Sequence, residues 1–171
     1  MERLKVDLCV IGAGSGGLSV AAGAVQMGAS VVLVEGHLMG GDCLNYGCVP
    51  SKALLAAGKH AQAMRTGEGL GLRPGDFGVD YNGAQDHVAK VIKTIEPHDS
   101  EERFSGLGVT VIRDWARFVS KTEIEAAGKL IEARRFVVAT GSGPFVPPIP
   151  GLDAVPYLTN ETIWDLRTAP K

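Results

Sequence analysis

Cys43 and Cys48 stand five residues apart in the string Gly40-Gly41-Asp42-Cys43-Leu44-Asn45-Tyr46-Gly47-Cys48-Val49-Pro50-Ser51-Lys52. Two thiols at that spacing cannot be bridged across a regular helix. Five residues rise about 7.5 Å along the axis, beyond the roughly 7 Å between Cα atoms that a disulfide tolerates. The intervening residues offer a way out. Gly47 supplies conformational freedom, and Pro50 deletes the N–H that would bond residue 46. The expected local structure is a deformed turn feeding a helix, which is the geometry a closed disulfide needs. A cysteine at a helix start is also a reactive type. Lys52 follows Cys48 by four residues, so a helix places both on one face. It is either a surface lysine or a cation beside the reacting thiols. Two other chemistries compete for the pair. A structural disulfide suits a reducing compartment poorly. A zinc site would need two more ligands, and no His or Cys stands at ligand spacing.

The second constellation is Gly12-Ala13-Gly14-Ser15-Gly16-Gly17, a G-x-G-x-x-G string. In such strings the first glycine permits a tight turn, the second lets backbone approach a pyrophosphate, and the third lets a helix pack closely on a strand. The helix start then offers free N–H groups and partial positive charge to the anion. Glu35 lies eighteen residues past Gly17, where an acid at the end of the next strand accepts from a ribose hydroxyl. The bland reading is a glycine-rich turn with no ligand. The context favours a bound dinucleotide, without separating FAD from NAD.

These residues need elements to hold them. Val6 to Ile11 and Val31 to Val34 read as buried parallel strands, with a helix from Leu18 to Met27 ended by Gly28. Pro50 to Met64 reads as a helix, and 67–83 as a Gly-rich connector. Asn82 to Glu96 places Val88, Val91, Ile92 and Ile95 on one helix face. Pro97 interrupts it, and a short helix resumes over Glu101 to Phe104. Five short strands follow: Val109 to Ile112, Ala116 to Val119, Thr122 to Ala126, Leu130 to Ala133 and Phe136 to Ala139. The connections within the middle three are too short for helical crossovers, so an antiparallel meander is expected. The prolines of Val146 to Gly151 exclude helix and central strand, and the tail beyond is expected to have no core of its own.

Bulk properties narrow the function. The chain has 171 residues and a net charge of -2, which argues against nucleic acid or an anionic membrane as partner. Leu8 to Val34 carries no charge, but its six glycines make a poor membrane span. No targeting signal is evident, so the expected location is cytoplasmic. The cysteine count is three, and an odd count does not suit a secreted disulfide framework. Cys9 lies in an apolar run and reads as a buried thiol.

With these motifs in place, the chain resembles the class I pyridine nucleotide-disulfide oxidoreductases, which include dihydrolipoamide dehydrogenase, glutathione reductase and mercuric reductase. The Gly-Gly-x-Cys-x-Asn-x-Gly-Cys-x-Pro-Ser-Lys string carries most of the likeness. Val137-Val138-Ala139-Thr140-Gly141-Ser142 is similar to the family's second FAD-contacting strand. Pro97-His98-Asp99-Ser100 and Pro147 to Gly151 are most similar to the mercuric-reductase-like branch. The implied fold is α/β: a Rossmann-like FAD-binding domain over residues 1–150, with a central parallel sheet and an antiparallel meander. Residues 151–171 would be a linker toward an absent NAD(P)-binding domain.

The resemblance also implies roles. Cys43 would exchange with substrate, and Cys48 would face the flavin as the charge-transfer thiolate. Lys52 would contact the flavin ring. Gly12, Gly14, Ser15 and Gly16 would hold the pyrophosphate with Gly17 closing the turn, Glu35 the adenosine ribose, and Ala116 adenine through its backbone. Gly41, Asp42, Gly47, Thr140 and Gly141 complete the implied cofactor contacts. FAD is the implied cofactor, and NAD(P)H the co-substrate. Electrons would pass from NAD(P)H through FAD to Cys43–Cys48 and on to a small disulfide, thiol or metal-ion substrate, in a homodimeric parent.

Two residues depart from the pattern. Asp42 stands where many members have Thr, so an acid would face the pyrophosphate unless it turns away. Gly36 replaces a frequent basic residue, which would loosen the adenine end. The second glycine-motif domain, the return segment of the FAD site and the His-Glu acid–base pair of the partner subunit are not seen. His37, His60, His87 and His98 read as structural or solvent-facing. The chain therefore reads as a fragment or single-domain form, inactive alone, and a non-catalytic flavin-binding or interaction module is the rival reading. No N-terminal metal-capturing domain is seen, which lowers a mercury role slightly.

Overall fold

The computed structural model describes residues 2–71, 73, 75 and 77–170. The chain divides into two compact units. The first comprises Met1–Asn45 with Ile95–Ser142, and the second Tyr46–Thr94 with Gly143–Lys171.

The first unit is an α/β sheet in the order β3-β2-β1-β6-β5-β4. Its strands are β1 (Glu2–Ile11), β2 (Val31–Val34), β3 (Thr110–Ile112), β4 (Arg117–Phe118), β5 (Glu123–Ala126) and β6 (Lys129–Val138). β2, β1 and β6 run parallel, with Ile11 opposite both Val34 and Val138, and β3 joins β2 in parallel. β4, β5 and β6 form the expected antiparallel meander. Strand side chains alternate between faces, and the core follows that rule. Cys9, Val32, Val34, Ile124 and Ile131 share one apolar cluster. Val10, Val31 and Leu33 share the other with Leu18 and Ala21 of α1 (Ser15–Gln26) and with Phe104.

One expectation is corrected. Leu130 to Ala133 and Phe136 to Ala139 are not two strands but parts of the continuous β6. Arg134-Arg135 puts two charges in the middle of this strand. In the sheet, the backbone stays paired with β1 through Arg135 opposite Leu8, and Arg134 reaches Asp7 at 3.0 Å from the exposed side. β1 likewise starts at Glu2 rather than Val6. Its first residues pair with Lys129 to Ala133, and its charged side chains are matched by ion pairs such as Lys5–Glu132 at 3.0 Å.

Two short helices belong to this unit, α2 (Gly41–Asn45) and α5 (Glu101–Gly106). Ser100 caps α5 by accepting the Arg103 N–H at 3.2 Å. A 3-10 turn over Glu96–Asp99 precedes it, at the point where Pro97 breaks the pattern.

The second unit contains α3 (Cys48–Thr66) and most of α4 (Tyr81–Ile95). Leu72, Pro74 and Asp76 of the expected 67–83 connector lie outside the described residues. The tail is more structured than its composition suggests. It forms 3-10 turns at Leu152–Ala154 and Ile163–Asp165, Trp164 donates its indole N–H to the Tyr46 carbonyl at 3.1 Å, and Arg167 pairs with Asp86 at 2.5 Å.

Candidate functional site

In open parallel sheets, ligands bind outside the carboxyl ends of the strands. In the first unit those ends bring together Gly12 to Gly14 after β1, Glu35 to His37 after β2, Arg113 to Ala116 after β3, and Ala139 to Gly141 after β6. The glycine turn, Glu35, Ala116, Thr140 and Gly141 therefore stand at one end of the sheet.

The glycine turn is built by close backbone approaches. Gly12 has φ +104°, and a Cβ there would lie 2.3 Å from the Ala139 carbonyl oxygen. Only glycine satisfies both conditions. A Cβ on Gly17 would fall 1.8 Å from the Gly12 oxygen, so α1 starts hard against the end of β1. Gly14 differs. It caps α1 with φ -78°, and a Cβ there would meet only Gly41 Cα at 3.8 Å. Neither backbone conformation nor protein packing demands a glycine at this position. The bare Cα leaves room for a phosphate at the helix start, where Ser15 and Gly16 are exposed.

Glu35 secures the turn. Its Oε2 accepts the Ala13 N–H at 2.6 Å and its Oε1 the His37 N–H at 2.6 Å. Each carboxylate oxygen keeps further lone-pair capacity for a hydroxyl donor. The donor set and the open Gly14 cradle fit the diphosphate and ribose of a dinucleotide.

Gly36 acquires a reason here. A Cβ on it would lie 2.5 Å from the Trp115 indole, so the ring occupies the space a side chain would need. Trp115 was not foreseen as part of this end. Trp115 is 75% exposed, while its loop is tied down by Asp114. That carboxylate accepts the Ala127 N–H and the Trp115 N–H, which hold it below the usual carboxylate range. Trp115 shows no spacing signal in the sequence; only the end of β3 beside β2 brings it to Gly36. Ala116, half-buried, follows directly. Thr140 and Gly141 are exposed beyond β6, with Gly141 at φ +68°.

The cysteine segment meets the glycine turn through its first two residues. The Gly40 N–H donates to the Ala13 carbonyl at 2.9 Å, and Gly40 bridges to Gly14. α2 starts at Gly41 and carries Asp42, exposed in its first turn, and Cys43, half-buried. Asn45 closes the segment by donating to the Met39 and Gly41 carbonyls at 3.0 and 2.9 Å. Cys43 lines a cavity of about 310 Å³ with Ser15 and Ser19 of α1, Gly40, Asp99 and Arg103.

Helix geometry then breaks, as the sequence requires. Gly47 sits at φ -119°, ψ -105°, and α3 begins at Cys48. The first rung of α3 is the Ser51 N–H to the Gly47 carbonyl at 3.1 Å. Cys48 is exposed, and Lys52, also exposed, follows one turn later on α3. Gly47, Cys48 and Lys52 fall in the second unit, the other expected site residues in the first. Cys9 is fully buried in the sheet, and burial pushes its thiol up to about 12. All four histidine side chains are exposed. Among the described residues, no three His, Cys, Asp or Glu side chains group as a metal site, and no helix is long and apolar enough to cross a membrane.

The Pyridine nucleotide-disulphide oxidoreductase family profile matches residues 6–171. The chain belongs to that family. It is 33% identical over 165 residues to a mercuric reductase of Lysinibacillus sphaericus, covering 96% of this chain and 30% of that protein. It is 37% identical over 165 residues to a dihydrolipoyl dehydrogenase of Thermus scotoductus, covering 95% and 33%. It is 31% identical over 172 residues to a chloroplastic dihydrolipoyl dehydrogenase of Arabidopsis thaliana, covering 99% and 30%. The chain thus spans about a third of the length of these relatives. Among solved structures, its fold is similar to a Cu(II) complex of a Cys-to-Ser mutant of an HOCl-induced flavoprotein disulfide reductase from Escherichia coli. That likeness has a TM-score of 0.75 and 22% identity, and covers 96% of this chain and 35% of that one. The likeness is one of fold.

Proposed function

We propose that this chain is the FAD-binding, disulfide-bearing segment of an NAD(P)H-dependent disulfide oxidoreductase, with Cys43 and Cys48 as its redox pair. The observation that carries the reading is the backbone contact of Gly40 and Gly41 with Ala13 and Gly14. It sets the cysteine-bearing α2 directly on the Gly12 to Gly17 turn, which supports a dinucleotide there. The N-terminal domain would then extend over residues 1–150, with 151–171 leading toward a nicotinamide-binding part.

FAD would rest on the Gly12 to Gly17 turn and Glu35, with Ala116 toward adenine and Gly41, Asp42, Gly47, Lys52, Thr140 and Gly141 along the rest. When bound, it supplies acceptance of a hydride from NAD(P)H and delivery of an electron pair to the Cys43–Cys48 disulfide. The protein's own chemistry follows from the two thiols. The reduced Cys43 sulfur attacks one sulfur of a substrate disulfide and displaces the other as a thiol. Cys48 then attacks Cys43 of the mixed disulfide, releasing the second thiol and closing Cys43–Cys48 again. The cavity beside Cys43, with Ser15, Ser19, Asp99 and Arg103 on its walls, supports a small polar substrate. Relatives called mercuric reductase and dihydrolipoyl dehydrogenase extend the candidates to a metal ion or a lipoyl dithiol, the latter running the sequence in reverse. The working form would be a cytoplasmic homodimer.

The test is FAD titration of the chain followed by mass mapping of its oxidised form. FAD is expected to bind in preference to NAD, and Cys43 is expected to bridge to Cys48 with Cys9 left as a thiol. Preferential NAD binding, or a bridge involving Cys9, overturns the reading. FAD binding without thiol–disulfide exchange would instead establish a flavin-binding module.

A further inference from the structure

We propose that Trp164 is a positioning residue for the turn that presents Cys48. The first backbone rung of α3 runs from the Ser51 N–H to the Gly47 carbonyl at 3.1 Å. The rung before it would run from residue 50 to the carbonyl of Tyr46, and residue 50 is proline. That carbonyl has lost its helical donor for a covalent reason. The Trp164 indole N–H donates to it at 3.1 Å. Tyr46 and Trp164 are both half-buried, so the bond is partly shielded from water, where a hydrogen bond is electrostatically stronger.

The donor comes from far along the chain, 118 residues after its acceptor, yet the segment carrying it is not loose. Ile163–Asp165 is a 3-10 turn, the Thr162 hydroxyl accepts the Thr159 N–H at 2.9 Å, and Arg167 pairs with Asp86 of α4 at 2.5 Å. The indole is therefore held at a fixed place in the second unit. It stabilises the non-helical Tyr46-Gly47 link, whose conformation sets where Cys48 begins α3. Tryptophan suits the task because its ring is a donor only and cannot compete for the N–H groups at the start of α3.

The inference rests on the reading of Cys43 and Cys48 as a redox pair. It is tested by the equilibrium between the chain's dithiol and oxidised glutathione, which yields the Cys43–Cys48 disulfide and two molecules of reduced glutathione. Trp164→Phe keeps a ring and removes the donor. It is expected to lower the constant for closing the disulfide about fivefold, since a looser turn lowers the effective concentration of one thiol at the other. Pro50→Ala returns a backbone N–H at position 50, the donor that the Tyr46 carbonyl would take in a continued helix. In that background, Trp164→Phe is expected to have an effect less than half as large, a non-additivity that packing loss alone does not produce. An unchanged constant in Trp164→Phe, or equal losses in both backgrounds, overturns the proposal. If Trp164→Phe does not fold, recovery of folding in the double variant supports the proposal and failure to recover overturns it. A wild-type chain that forms no Cys43–Cys48 bridge refutes the redox reading itself, a separate result.

Discussion

Gly14 and Gly41 lie backbone against backbone: a Cβ built on Gly41 falls 2.6 Å from the Gly14 Cα, and Gly41 has φ +57°. The two positions are not equivalent. Gly41 needs to be glycine for the fold, and Gly14 needs to be glycine only if a ligand comes close. Gly41→Ala is expected to destabilise the chain by about 2 kcal/mol or more, from the left-handed backbone and the collision together. Gly14→Ala is expected to cost under about 1 kcal/mol, typical of an altered helix cap, and yet to weaken FAD binding severely. Denaturant unfolding and FAD titration of the two variants separate these effects. Wild-type FAD affinity in Gly14→Ala contradicts the placement of the pyrophosphate there.

Glu35 offers a second separation. Its two oxygens each accept one backbone N–H, from Ala13 and His37. Glu35→Gln turns one acceptor into an NH₂ group that faces an N–H donor. The expected loss is about 1–3 kcal/mol for the chain without ligand, with FAD affinity falling by more than stability alone explains. Thermal unfolding with and without FAD reads both. Equal shifts in both conditions would leave Glu35 as a support of the turn only.

Why some of this was legible in sequence and some not has a local explanation. The Gly12 to Gly17 string, β2 and the break at Gly47 follow from backbone rules that act within a few residues, and the structure has them where the sequence put them. β6 runs on through Arg134 and Arg135, whose charges break its apolar pattern. Their pairing with β1 and Asp7 depends on a strand more than a hundred residues away. Trp115 over Gly36, and Trp164 on Tyr46, were invisible for the same reason. Nothing in their local spacing marks them, and only the fold brings a distant indole to a backbone.

Asp7 gives a pH prediction. The Ser30 N–H and hydroxyl, then Arg134, lower its pKa from 3.8 to about 2. A carboxylate depressed in the folded state adds stability that is present above its unfolded value and is lost as pH falls through the folded one. Its contribution should therefore disappear between about pH 4 and pH 2. Asp7→Asn is expected to unfold more readily at pH 7 and to show a flatter dependence across that window. Parallel acid-unfolding curves for the two proteins would dismiss the Asp7–Ser30 clasp between β1 and β2 as a stabilising feature.

The three cysteines should be distinguishable by alkylation alone. Reaction with iodoacetamide requires both access and thiolate. Cys48 is exposed at the start of α3, Cys43 is half-buried beside its cavity, and Cys9 is fully buried between β2 and β6. In the native dithiol at pH 8, Cys48 is expected to label first and Cys43 more slowly, with Cys9 labelled only after denaturation. Burial raises the Cys9 thiol from 9.0 to about 12, so raising the pH to 10 should not expose it to reagent while the fold holds. The same burial makes Cys9 a source of alkaline instability. Its proton is held in the folded chain and released in the unfolded one, so the stability it contributes is fully present below about pH 9 and declines as pH rises toward 12. Cys9→Ala is expected to lose stability at neutral pH through the smaller side chain in a close-packed sheet. It is also expected to lose less of what remains between pH 9 and 11 than the wild type does. Mass mapping of the native chain decides the first part: Cys9 labelled as fast as Cys48 would mean that the first strand is not held at the centre of the sheet.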